Sequence, residues 1–532
     1  VLNLGDDSRI NVDAAVGASD VRAALDEVRA LKKSGLVKEA LDRCRQHSRV
    51  NPSSADLLLT LARLEFDQNN PTGALMVLND AARIAPGRIE VWVALGDGCL
   101  AARRFQAAID AYQRAATLDS SSPEVAARLG AALQAAGRVE EAASCYRKAL
   151  ERSPESGLLH YNLGTALKAL HRFDEAVVEY RQAVRLVPDN PDLKVRLGNL
   201  LVETSRFEQA IEPLENALSA LARADQSFVC HLLAYAHKKL GQGKASVEAA
   251  KRLVDLTGGA VPALMHLSAA YLTLGDANQA LTVCERGLDR APASRQLLSD
   301  KAIALYALGR TEEASYLYDF ETLLNVSRVD SLPGYENVDE FNAALMTHIR
   351  THPTLDFSGI SLSCHEGATS DELLVEPKGP VARLEQLIQQ SANAFRARLC
   401  ARSPHPWVDN LPAANALELS AWVTRLRSQG YQHGHIHPSA WISGVYYVSL
   451  PPEIGRADAG QSGWIEFGRP PYYYNCGQEH DIRCIQPHPG MLVLFPSYFY
   501  HRTIPFDSDE ERVTIAFDFR QPAQETSATD GF

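Results

Sequence analysis

Two periodicities divide the chain. From about residue 20 to residue 326, apolar positions recur at i, i+3, i+4 and i+7, the spacing of one helix face. The stretch LHYNLGTALKALHRFDEAVVEYRQAVRLVPDN (159–190) holds two such faces with a break between them, which predicts a helical hairpin. Small residues mark the hairpins every 34 positions: Ala40, Ala74, Ala108, Ala142, Ala176 and Ala210, then Ser246, Ala280 and Ala314 after a two-residue slip. A second series runs Ala62, Gly96, Gly130, Gly164, Gly198, Ala234, Ser268 and Ala302. Pro52, Pro86, Pro154 and Pro188 keep the same step. Small side chains let two helices approach closely where they cross, and a proline closes the second helix of each pair. Two further amphipathic stretches, ENVDEFNAALMTHIRTH and PVARLEQLIQQSANAFRARLC, predict helices beyond the array. After Pro412 the pattern shortens to ALELSAWVTRL, SGVYYVSLPP, GWIEFG, GMLVLFPS and RVTIAFDF, strand-like runs separated by Gly and Pro.

Length and composition narrow the class. A chain of 532 residues is too long for one core, so at least two domains are expected. No run approaches 18 uninterrupted apolar residues, so no membrane span is expected. The start, VLNLGDDSRI, lacks the basic and apolar regions of a secretory signal. Nine cysteines without a CxxC pair suggest reduced thiols, and a cytoplasmic location is the expectation. The net charge is −12, and residues 330–532 carry 24 acidic against 14 basic side chains, which argues against a nucleic-acid footprint. Neither a Walker phosphate loop nor a dinucleotide fingerprint is present. Ten of the 16 histidines lie after residue 330, so the chemistry is expected there.

One stretch concentrates it. HGHIHPSAWISGVYYV (433–448) sets His433, His435 and His437 at alternate positions, one face of an extended chain. GMLVLFPSYFYH carries His501 at the end of a strand-like run, and RVTIAF puts Arg512 at the head of another with Thr514 on the same face. Three imidazoles on one face fit a metal site. A polar edge facing solvent is the alternative for any one histidine alone.

The 34-residue period resembles the tetratricopeptide repeat, a helix–turn–helix unit that stacks into a superhelix with an extended concave face. About nine repeats cover residues 20–327, after an N-terminal extension at 1–19. The resemblance implies recognition of a peptide or protein, with a pure scaffold as the alternative.

The His-x-His-Pro, SGVYYV, FPS, His and Arg-led strand, in that order, resemble the 2-oxoglutarate/Fe(II) oxygenases, in particular a bacterial subfamily. The resemblance implies a double-stranded β-helix (jelly-roll) domain of α+β type over 328–522, followed by a tail at 523–532. It implies Fe(II), 2-oxoglutarate and O₂, and hydroxylation of a peptide or protein substrate. His435, His437 and His501 would be the metal ligands, and Arg512 and Thr514 would hold the distal carboxylate of 2-oxoglutarate. Tyr447 would reach the same co-substrate, with Tyr446 on the opposite face. The family's carboxylate ligand is replaced here by His437, which either ligates as a third histidine or stands behind the metal. His433 pairing with His435 is a further option. Gln432 and Trp441 flank the expected site, and one of them would touch substrate. Two rivals stay open: a three-histidine iron dioxygenase that does not use 2-oxoglutarate, and a non-catalytic interaction protein with a degenerate oxygenase domain. CHEG (364–367) and His480 with Cys476 and Cys484 fit no standard zinc spacing. The loop PPYYYN (470–475) is expected either to contact substrate or to pack at the rim.

Overall fold

The computed structural model describes residues 7–353, 355–357, 364–400, 404–456, 460–477 and 480–522. The expected tail at 523–532 and the first six residues lie outside that range. The chain divides into two compact units, Val1–Leu193 and Lys194–Phe532.

The first unit consists of helices joined by short turns, from Asp7–Lys33 to Phe173–Leu186, with the next helix starting at Pro191. Helices packed in sequence-adjacent pairs explain both small-residue series. Ala40, Ala74, Ala108, Ala142 and Ala176 are each 0% exposed. Gly96, Gly130 and Gly164 of the other series face an aromatic ring on the partner helix, and Gly198 faces Leu214. A Cβ on Gly96 would lie 2.5 Å from Tyr112, and one on Gly164 would lie 2.6 Å from Tyr180. The repeat therefore encodes a small-on-large contact at the helix crossing. Pro71, Pro123 and Pro191 stand at helix starts, where a missing N–H costs nothing.

The second unit continues the pairs through Thr311–Leu317 and then turns to sheet. Among the described residues nine strands follow: β1 Asn325–Arg328, β2 Cys364–Thr369, β3 Glu418–Gln432, β4 Ala440–Ser449, β5 Ile465–Phe467, β6 Arg483–Ile485, β7 Met491–Pro496, β8 His501–Thr503 and β9 Arg512–Arg520. They form an antiparallel six-stranded sheet in the order β1-β7-β4-β9-β3-β2 and an antiparallel three-stranded sheet in the order β6-β5-β8. The two amphipathic stretches are the helices Val338–Thr351 and Val381–Cys400. Asn337 caps the first by accepting from Glu340 N–H. Its Asn342 accepts from Tyr446 Oη at 2.8 Å, and Phe341 packs edge-on to the same ring. Tyr446 thus faces the covering helix, away from the side of β4 that carries Tyr447.

Each of the five strand-like runs contains a strand, at β3, β4, β5, β7 and β9. The histidine stretch differs from expectation. Residues 433–439 are an irregular connection between β3 and β4, with one isolated bridge pairing His435 with His501. The boundary expected at 327/328 falls inside β1, which pairs with β7 from Asn325 to Arg328.

Candidate metal centre

The register of three adjacent strands builds one wall of the site. β3, β9 and β4 align Ser420–Asp518–Ser443, Trp422–Ala516–Val445 and Thr424–Thr514–Tyr447 in successive rows, with Arg512 opposite Leu426. Side chains alternate across a sheet, so the even positions of β9 and the odd positions of β4 share a face. On that face lie a carboxylate, a phenol, two threonines and an arginine.

The histidines come from outside the six-stranded sheet. His435 and His501 exchange backbone N–H···O bonds in both directions at 3.1 Å, which fixes their ring centroids 4.4 Å apart. His437 N–H donates to the Ser497 carbonyl at 2.9 Å, and its ring lies 5.1 Å from His435 and 5.2 Å from His501. One ring nitrogen from each of the three lies within 4.8 Å of the others. This is the one such group among the described residues.

Each Nδ1 is already engaged. His435 Nδ1 meets the His433 carbonyl at 2.7 Å and His501 Nδ1 meets the Phe499 carbonyl at 3.0 Å. His437 Nδ1 meets both oxygens of Asp518, at 2.8 and 2.9 Å. Acceptors on all three Nδ1 atoms fix the tautomer, so every Nε2 keeps its lone pair for a ligand. Burial, then the neighbouring His437, pushes the His435 pKa down to about 3. His501 is held well below the usual histidine range by burial and by both neighbours. Both are therefore neutral at physiological pH, as metal ligation requires. Asp518 is 7% exposed and also accepts from Ser443 Oγ at 2.6 Å. The ring of Trp422 stacks on His437 and that of Phe495 leans on His501.

Beyond the histidines the same pocket is lined by Arg512, Tyr447, Thr514 and Gln432. Arg512 is 2% exposed, and its guanidinium lies 5.2 Å from the centre of the Tyr447 ring. Burial raises the Tyr447 pKa, with the Arg512 charge pulling against it. The buried hydroxyls of Tyr447 and Thr424 meet no partner of hydrogen-bonding geometry among the described residues. Arg502, the other arginine of the lining, is paired with Glu466 at 2.6 Å.

Seven of the residues expected at the site are thus brought together: Gln432, His435, His437, Tyr447, His501, Arg512 and Thr514. Trp441 is not among them. A bulge at the start of β4 separates it from the row, and the Arg295 guanidinium covers its ring at 4.7 Å. His433 is exposed and packs against Tyr431 and Tyr472, contributing only its carbonyl. His365 stacks on Tyr431 and His480 meets Tyr306 edge-on, whereas the Cys364 side chain lies outside the description. In the 470–475 loop Tyr474 is buried against the repeat helices, donating to Asp300 at 2.9 Å. Asp518, Trp422 and Thr424 were not singled out from the sequence. Their signal was parity: Asp518 continues the alternation of Arg512 and Thr514, and Trp422 and Thr424 share one face of β3.

Comparison with known proteins agrees in outline. Residues 420–518 match the family model described as "Putative 2OG-Fe(II) oxygenase". Residues 3–231 match the model of the cilia and flagella-associated protein 70 C-terminal domain, a tetratricopeptide region. No curated protein matches the chain. Among solved structures, MamA is 22% identical over 32% of this chain and 92% of its own, with a TM-score of 0.29. PilF of Pseudomonas aeruginosa is 19% identical over 39% of this chain and 93% of its own, with a TM-score of 0.33. YrrB, a TPR protein with an unusual peptide-binding site, is 18% identical over 35% and 96%, with a TM-score of 0.29. The chain thus joins tetratricopeptide-like repeats to an antiparallel-sheet domain similar to the oxygenase family.

Proposed function

We propose that the protein is an Fe(II)/2-oxoglutarate-dependent oxygenase of jelly-roll architecture that hydroxylates a polypeptide recruited by its repeats. The observation that carries this reading is the convergence of a ring nitrogen from each of three histidines, with every Nδ1 hydrogen-bonded, in one pocket with a buried arginine. The donor set suits the metal: three imidazoles are borderline ligands for a first-row ion. His435, His437 and His501 would hold it. The missing carboxylate ligand is offset one step outward, because Asp518 places its negative charge on His437 Nδ1 and raises the basicity of that ring. Iron bound with 2-oxoglutarate would supply O₂ activation coupled to decarboxylation, and insertion of oxygen into a C–H bond.

The chain's own residues do the rest. Arg512 offers a planar fork for the distal carboxylate, with Thr514 and the hydroxyls of Tyr447 and Thr424 as further donors. Trp422 and Phe495 wall the histidines and keep water from them. Gln432, in the lining of the same pocket, would meet substrate.

Succinate release from 2-oxoglutarate by the full chain with Fe(II) tests the reading. Arg512→Ala removes a charge-assisted pair of hydrogen bonds, so half-saturation by 2-oxoglutarate should rise on the order of a hundredfold while iron content stays the same. Arg512→Lys should not restore it, since an ammonium lacks the fork. Unchanged 2-oxoglutarate dependence in Arg512→Ala would favour a three-histidine dioxygenase that uses no such co-substrate.

A further inference from the structure

The repeat helix Ser227–Lys239 carries a second, less buried face beside its core face. Its core face is Val229, Leu232, Leu233 and Ala236. Another face presents Phe228, His231, Tyr235 and Lys238, spaced i, i+3, i+7 and i+10, all exposed or half-buried. Phe228 stacks on His231, and His231 meets His266 of the following repeat at 4.4 Å.

Two ammonium groups gather at the end of this stripe. Lys238 Nζ lies 5.0 Å from the Tyr235 ring and 5.8 Å from that of Tyr473; Lys239 Nζ lies 5.4 and 4.8 Å from the same two rings. Tyr472 donates to the Lys239 carbonyl at 3.3 Å and leans on His433 at 6.2 Å. The Lys239 charge is felt at His433 and His435. A third cation, Arg295, donates to the Pro438 carbonyl at 2.8 Å, one residue past His437. Among the described residues none of the three makes an ion pair. Asp300, the carboxylate whose field Lys238 feels, already accepts from Ser268, Gln296 and Tyr474.

Like charges held together in half-buried positions are costly unless something compensates them. Aromatic faces hold the cations in place but do not neutralise them. In a chain of net charge −12, three cations without an ion pair among the described residues, with the buried Asp300 as the one carboxylate whose field Lys238 feels, suit an anion from outside. We propose that Lys238 and Lys239, with Arg295 on the flank, form a subsite for an aspartate or glutamate side chain of the polypeptide substrate, next to the residue presented to the metal centre. This rests on the oxygenase reading only for what happens after binding. The ring stripe favours a polypeptide over a small acid. Ten residues of helix span about 15 Å, the length of four or five residues of extended chain.

A positional-scanning array of 12-residue peptides, probed with the full chain, tests this without turnover. Each spot fixes one residue type at one position. Acidic spots should exceed their Asn and Gln counterparts at least about tenfold at one or two adjacent positions. Lys238→Met/Lys239→Met should abolish that preference, and Lys238→Arg/Lys239→Arg should keep it, with iron content and thermal unfolding matching the parent in both. Absence of acidic preference in the parent chain, or its survival in the Met pair, overturns the subsite. If the Met pair instead raises half-saturation by 2-oxoglutarate and leaves peptide preference alone, the lysines guide the co-substrate and the proposal fails. Acidic preference without succinate release would sink the oxygenase reading and leave the subsite standing.

Discussion

Asp518 holds both carboxylate oxygens against His437 Nδ1 and takes a third bond from Ser443. Such an acceptor behind a ligand orients the ring and makes its free nitrogen a better donor. Asp518→Asn keeps the shape and removes the charge. In an anaerobic Fe(II) titration against a competing chelator, affinity should fall about 10- to 100-fold. An affinity equal to that of the parent would mean that His437 stands behind the metal and does not ligate it. At this scale the sequence was legible in part. The types His, His, His and Arg, and their order, pointed to the site. The partner of His437 did not, because it lies 81 residues away and only the β3–β9–β4 register joins them. Trp441 lies off the row for a related reason: odd numbering along β4 would put it beside Ser443, but the bulge after Ala440 breaks the alternation.

β3, β4, β7 and β9 were readable, whereas β1, β2, β6 and β8 were not. β5, β6 and β8 have three residues each, too few for a period to declare itself, and β5 showed only through its apolar GWIEFG setting. β1 follows directly on the repeat helices, where helix-spaced apolar residues mask four extended ones. β4 is buried on both faces, so it reads as a continuous apolar run. Its centre shows why the run contains a glycine. A Cβ on Gly444 would lie 2.5 Å from Phe517 Cε2 and 2.6 Å from the Val493 carbonyl oxygen. Neither β7 nor β9 can retreat without loosening the row that carries Thr514 and Asp518. Gly444→Ala should therefore destabilise the chain by about 1–3 kcal/mol, measured by urea unfolding. Iron affinity should weaken along with it, since the wall of the site moves. A stable variant with parental unfolding would show that the sheet absorbs a methyl group at no cost.

In the second unit the repeats and the sheets are one body. Tyr318 stacks on Tyr498, Phe499 meets it edge-on, and the Tyr498 hydroxyl donates to the Leu317 carbonyl. The 470–475 loop adds the Tyr474–Asp300 bond and a backbone bond from Asn475 to Leu272 at 3.0 Å. The change of periodicity near residue 326 is real in sequence, yet side chains from both sides of it fill one core. Asp300 lies at the centre of this joint, 0% exposed. Burial raises its pKa from 3.8 to about 6, although Ser268, Gln296 and Tyr474 all stabilise the ionised form. A folded-state pKa above the unfolded one means that the native state binds the proton more tightly. Asp300 therefore favours folding most below about pH 4, and that contribution is lost as pH rises to about 6, a change on the order of 3 kcal/mol. Asp300→Asn cannot titrate, so its stability relative to the parent should rise between pH 4 and pH 6 and then level off. Four of the five tryptophans (Trp407, Trp422, Trp441 and Trp464) lie in this unit, so urea unfolding followed by tryptophan emission reports on it. A constant difference between parent and Asp300→Asn across that range would mean that the buried carboxylate ionises as readily in the joint as in the unfolded chain.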